Sequence, residues 1–173
     1  QVQIMELSTV IAEARAALML VAHQMREAGY RGDEELLGFA DQELEKVKLS
    51  IHLADFEYKR FHNAGASTAA EQKLLDNLNT NYVSYMDEVV LSLIAALEDR
   101  NYTEFYIINE NTGYVKAGEF QLAISSLSTL IQDQNNTFII QAEERTELAI
   151  IIIIASVLLG ALFTLIIRYV VQH

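Results

Sequence analysis

Residues 1–25 read QVQIMELSTVIAEARAALMLVAHQM, and the placing of their apolar side chains decides the fold. Ile4, Leu7, Ile11, Ala14, Leu18, Val21 and Met25 follow alternating spacings of three and four without a miss. That period keeps one stripe of an α-helix turned toward a partner helix, the mark of supercoiled packing. The arithmetic recurs downstream. A second run is Leu37, Ala40, Leu44, Val47, Ile51, Ala54, Tyr58 and Phe61. A third is Leu75, Leu78, Tyr82, Tyr85 and Val89, continuing through Leu93 and Ala96. The fourth is Ala117, Phe120, Ile124, Leu127, Ile131, Gln134 and Phe138.

The breaks between these runs carry helix-ending chemistry. Gly29 and Gly32 close the first helix, and Asp33 can cap the second ahead of Glu34 and Glu35. Asn63-Ala64-Gly65 closes the second, and Thr68 with Glu71 forms a capping box for the third. Asp99 to Asn101 ends the third, while Gly113 and Gly118 loosen the start of the fourth. Short connections make neighbours antiparallel, so the fold class expected is all-α: an antiparallel up-down-up-down four-helix bundle. Composition agrees. The 173 residues suit one domain with a sizeable core, and no proline and only seven glycines leave room for few, long elements.

Working outward toward the C-terminus, Leu148 to Ile167 reads LAIIIIIASVLLGALFTLII, 20 residues without a charge. At 1.5 Å per residue this spans roughly 30 Å, the hydrocarbon thickness of a bilayer. The bundle is therefore expected to continue into a C-terminal transmembrane helix. Glu143, Glu144 and Glu147 precede the span, whereas Arg168 and Tyr169 follow it. Basic charge marks the cytoplasmic side, which assigns 1–147 to the outside, 148–167 to the membrane and 168–173 to the start of a cytoplasmic linker. The outer part holds all 24 acids and 11 of the 12 bases, a net −13. Ser156, Gly160 and Thr164 recur every four residues, a small-residue face that permits close helix packing in the membrane lipid. Four alternating helices return both ends to one side, so a membrane segment upstream of Gln1 is also expected.

Chemistry is sparse. Without cysteine there is no disulfide, thiolate metal site or cysteine nucleophile. A net charge of −12 excludes nucleic acid as a partner, since phosphate backbones need clustered Lys and Arg. His23, His52, His62 and His173 include no pair at metal-binding helical spacing, and no nucleotide-binding or nucleophile motif occurs. The reading is no catalytic residue, no metal and no cofactor: not an enzyme. Gln134, Gln141 and Arg145 occupy seam positions late in the fourth run, so that end is expected to be wet and less rigid.

Several segments, in this order, carry a family resemblance. They are EARAALML (13–20), ELLGFADQELEKVKL (35–49), NYVSYMDEVVLSLIAALEDRNYTEFY (81–106) and NTGYVKAGEFQLAISSLSTL (111–130), followed by the run into the span. Together they resemble the periplasmic ligand-binding domain of bacterial methyl-accepting chemotaxis proteins, the enterobacterial type that includes the aspartate, serine and dipeptide receptors. The resemblance implies a homodimer in the inner membrane with residues 1–147 in the periplasm. It also implies a small-molecule ligand (an amino acid or organic acid) or a periplasmic binding protein as partner. A HAMP linker and a coiled-coil hairpin controlling a kinase complex would follow His173. In such receptors first-helix arginines hold ligand carboxylates, and Arg15 falls where the first would be. Leu20 and Gln24 stand at the next two places. The start of the fourth helix holds the ligand's amino group in relatives, which singles out Tyr106, Asn109, Asn111 and Thr112 here. The same bundle could instead serve a histidine kinase or diguanylate cyclase, or be a membrane-anchored dimerising bundle with no small ligand.

Overall fold

The computed structural model describes the backbone of residues 2–172 and the side chains of residues 5–156 other than 144, 147 and 155. Every described element is helical. The helices are α1 (Val2–Arg31), α2 (Glu34–Asn63), α3 (Ala69–Tyr85), α4 (Ser92–Glu98), α5 (Tyr102–Ile107) and α6 (Tyr114–Gln172). A π-turn, Met86–Leu91, joins α3 to α4, and another, Ile108–Gly113, joins α5 to α6. They make four rods: α1, α2, α3 with α4, and α5 with α6. Two compact units divide the chain at Ile131. The first, residues 1–131, is the bundle. The second, residues 132–173, is described by the later part of α6.

The bundle buries the expected stripes. Leu7, Ile11, Ala14, Leu18, Val21 and Met25 of α1 share one core with Ala40, Leu44, Val47, Ile51, Ala54 and Tyr58 of α2. Leu75, Leu78, Tyr82, Tyr85, Val89, Leu93 and Ala96 of the third rod and Phe120, Ile124 and Leu127 of α6 complete it. Ile4 of the first stripe lies outside the described side chains. Full burial of the fourth stripe ends at Leu127: Ile131 and Gln134 are half-buried, and Phe138 is 69% exposed. The third rod also buries Met86, Val90, Ile94 and Leu97, a second stripe beside the expected one. Its π-turn falls where the run has two successive spacings of four, Tyr85 to Val89 to Leu93. A π-turn holds an extra residue per turn, and so keeps the stripe inward through that irregularity.

The rod ends follow their local chemistry. Gly32 and Gly65 take left-handed φ values of +68° and +74°. Asp33 accepts the Leu36 N–H at 3.0 Å, and Thr68 accepts that of Glu71 at 3.2 Å. Glu71 in turn accepts the Ser67 N–H at 2.8 Å, one residue earlier than a standard capping box. At the end of α4 the left-handed residue is Arg100, φ +55°. Its guanidinium donates to both Asp41 oxygens, at 2.7 and 2.9 Å, and to Met25 Sδ at 2.9 Å. That clamp to α2 and α1 offsets the strain of a non-glycine residue in this region.

Among the described residues no helix is long and apolar enough to cross a membrane. Of the predicted span, side chains from residue 157 onward, with Gly160, Thr164, Arg168 and Tyr169, lie outside the described residues. Those before it that are described, Leu148 and Ile150 to Ile154, are 51–63% exposed.

The aromatic centre of the bundle generates a pH dependence. The Tyr58 and Tyr82 rings stack at 3.5 Å, and Phe120 meets Tyr82 at 5.7 Å and Tyr85 at 5.8 Å. Tyr82 donates its hydroxyl to Asp55 at 2.9 Å, and Tyr58 donates to Asn79 at 3.2 Å. Burial pushes all three phenols above their ordinary value near 10, with Asp55 adding to the push on Tyr82 and the Arg15 charge opposing it on Tyr85. The unfolded chain therefore loses these protons first, so stability fully present below about pH 10 is lost as pH rises above it. Melting curves should show a midpoint that falls steeply above about pH 10, with tyrosinate absorbance appearing together with helix loss. Tyrosinate formed well before the helix melts would contradict the burial.

Candidate functional site

Arg15 lies near the middle of α1, one turn before the fully buried Leu18, and is itself half-buried. Its side chain reaches the second π-turn. Nε donates to Asn109 Oδ1 at 2.9 Å, and Nη2 donates to the Asn109 carbonyl at 3.2 Å. The guanidinium carbon sits 4.5 Å above the Tyr114 ring, and its charge acts on the Tyr85 phenol. Asn109 is 3% exposed, the one buried polar side chain among the described residues. Gly113 makes the approach possible, because a Cβ there would stand 2.8 Å from Arg15 Nη2. The glycine is required for space, since its backbone is helical.

The electrostatics set this arginine apart. Arg31, Arg60 and Arg100 each pair with a carboxylate, respectively Glu27, Glu57 and Asp41. Arg15 has no carboxylate partner among the described residues; its neighbours are an amide, a carbonyl, a phenol and a ring. Guanidinium has five N–H donors, and two are committed to Asn109. A partly desolvated cation held by neutral groups has an unmet preference for an anion, and Arg geometry favours a bidentate carboxylate.

The residues singled out in the sequence divide here. Arg15 and Asn109 come together. Tyr106, one turn before Asn109, is half-buried, packs edge-on against Phe105 at 5.5 Å, and lies 5.5 Å beneath the guanidinium of Arg26. Asn111 is exposed and Thr112 half-buried, and neither makes a side-chain hydrogen bond among the described residues. Of the two positions after Arg15, Leu20 is 59% exposed and Gln24 is half-buried. The residue missed is Arg26. It is eleven positions beyond Arg15, three helical turns, and so shares a face of α1 with it. Arg26 likewise has no carboxylate partner among the described residues. Tyr85, Gly113 and Tyr114 were also missed; only the end of a fold-back could bring them to Arg15. No group of three or more His, Asp or Glu side chains that could hold a metal occurs among the described residues.

A family model described as "Tar ligand binding domain homologue" matches residues 1–135. No curated protein and no solved structure matches the chain.

The Arg15–Asn109 contact can be measured. Asn109→Ala strips a half-buried cation of its side-chain acceptor, leaving the bond to the backbone carbonyl, and should cost about 1–3 kcal/mol in chemical denaturation. Gly113→Ala should cost about 1–2 kcal/mol, because the guanidinium, the far end of a flexible side chain, must swing off Asn109. Both changes break the bond from Arg15 Nε to Asn109 Oδ1, so the double variant should lose less than the two single losses combined. Strict additivity would mean that Gly113 does not act through Arg15.

Proposed function

Since this chain belongs to the family of Tar ligand binding domain homologues, a sensor family without catalytic members, we propose that it binds a small solute bearing a carboxylate at Arg15. The observation that carries this reading is the half-buried guanidinium with neutral partners only. The solute's carboxylate takes the N–H donors that Asn109 leaves open, against the exposed face of Tyr114. Asn109, Asn111 and Thr112 supply amide, carbonyl and hydroxyl groups for a solute amino group. Tyr106, under Arg26, extends the cationic seam by one turn toward the turn between α4 and α5. Amino acids and organic acids are the matching ligand class. Delivery by a periplasmic binding protein is the second route, favoured where Leu20 and Gln24 replace further arginines.

The family is periplasmic in membrane chemoreceptors, and the charge-free run Leu148–Ile167 supplies the anchor in this reading. Residues 1–147 then stand in the periplasm as a homodimer, in contact with lipid through the span. The ligand signal passes along α6, whose helical hydrogen bonding runs unbroken from Tyr114 to Gln172, to a cytoplasmic part that controls a kinase complex. A solute can shift this helix only by as much as it prefers one packing over another.

The test is a thermal-melt panel of amino acids and small carboxylates on the whole chain in detergent micelles. A ligand at 100 times its dissociation constant should add about 2.7 kcal/mol and raise the midpoint by a few degrees. Arg15→Ala should remove the shift, and Arg15→Lys should keep part of it. If nothing in the panel moves the midpoint, direct binding fails. A solute that stabilises the Arg15→Ala chain equally well would place the site elsewhere. In the intact receptor, adding or removing residues near Glu147 or Tyr169 should shift output; constant output would count against transmission by helix sliding.

A further inference from the structure

A cavity lies between α2 and the third rod. It has a volume of about 370 Å³. Ile51 and Ile94 with Met86 form an apolar floor, each 3–8% exposed. Lys48, His52, Asp55, Lys59, Asp87 and Glu98 form the rim. Apolar floors with a few placed polar groups are the usual build of small-molecule sites. One wall is the π-turn Met86–Leu91, which supplies Met86, Asp87 and Leu91. Such turns occur often at functional sites.

The charges on this rim are nearly all spoken for. Lys48 donates to Glu45 at 2.8 Å and to Glu98 at 2.7 Å. Lys59 pairs with Asp55 at 2.6 Å, and Asp55 also accepts the Tyr82 hydroxyl at 2.9 Å. Asp87 is different: its exposed carboxylate has no hydrogen-bond or ion-pair partner among the described residues. Two lysines therefore face three carboxylates, and the uncommitted charge beside the apolar floor is negative. An anion entering here would meet lysines already neutralised and a free carboxylate. A cation would meet its complement.

We infer that the groove walled by α2 and the π-turn Met86–Leu91 is a second ligand site, separate from Arg15, for a small organic ammonium with an apolar body. The ammonium pairs with Asp87, and the body lies over Ile51, Met86 and Ile94, beside the half-exposed Leu91. His52, exposed and without a partner among the described residues, stands across the rim and offers an imidazole nitrogen to a second ammonium N–H.

The probe is 2-phenylethylammonium, with phenylacetate as the control of like body and opposite charge. Both are titrated into the whole chain in detergent micelles, by calorimetry and by thermal melts. Binding of the ammonium with a raised midpoint, and about tenfold or weaker binding of phenylacetate, is expected. Asp87→Asn should lower ammonium affinity about tenfold while leaving the unliganded midpoint in place, since Asp87 is exposed. Asp87→Glu should restore most of it. The proposal is overturned by equal stabilisation from phenylacetate, by affinity that survives Asp87→Asn, or by no binding at about 10 mM ammonium.

Discussion

Four apolar stripes, each laid along a rod of helix, must leave water together, and everything else in the bundle is arranged around that requirement. Most of the stability of a helix in a protein comes from packing its apolar face rather than from intrinsic propensity. That of α1 comes from burying Leu7, Ile11, Leu18, Val21 and Met25, each worth roughly 1.5–3 kcal/mol when fully covered. Only three other rods with matching stripes can cover it, so the rods order as a set. The turns follow from this demand. Two residues between α1 and α2, and three between α4 and α5, leave the chain no course but to double back. Where no glycine was available for the left-handed position after α4, Arg100 takes it and is held by Asp41 and Met25.

Against that apolar demand, polar groups inside the bundle need partners. Asn109 meets the condition by accepting from Arg15 twice, and the arginine is thereby drawn under the π-turn. The outcome is asymmetric. Both Asn109 oxygens have a donor, while the guanidinium retains unused donors and a whole positive charge. Were Arg15 there only for structure, a carboxylate would be the cheaper partner, as Glu27, Glu57 and Asp41 are for Arg31, Arg60 and Arg100. With 24 acids in the chain, none among the described residues meets the half-buried Arg15 or the exposed Arg26 on the same face of α1. A ligand carboxylate fills the role that those acids play elsewhere.

The rods could be read from the chain because the spacing of three and four survives in the residues themselves. Every described stripe residue of α1 is buried, as is each one from Leu75 to Ala96. The π-turns could not be read so directly. Two successive fours at Tyr85, Val89 and Leu93 are compatible with a drifting α-helix, and only packing selects a π-turn. The second buried stripe of that rod, Met86 to Leu97, was equally hidden, because a heptad reading names the centre of a face and not its width. The spacing of the fourth stripe runs on to Phe138, but full burial ends at Leu127. For the site, Arg15 and Asn109 stood out only through family likeness. Their contact crosses 94 residues, which no local pattern encodes. Arg26 was overlooked although its spacing from Arg15 is helical, since an exposed arginine on a helix ordinarily pairs with a neighbouring acid.

The isoleucines of α6 pose the reverse problem to the stripes. Ile150, Ile151, Ile152, Ile153 and Ile154 are consecutive, so at about 100° per residue they point around more than a full turn. All five are more than half exposed. A stripe could be covered by one neighbouring rod, but a helix apolar all round has no side suited to water. In water each of these side chains would forgo roughly 1.5–3 kcal/mol of burial. Surroundings that recover it must be apolar on every side, and a bilayer is such a surrounding where a single bundle partner is not. The same helix that presents Phe120, Ile124 and Leu127 as a narrow stripe therefore changes its pattern beyond Glu147 from one-sided to all-round. That change of pattern is set in the sequence and visible in the exposure of the first isoleucines.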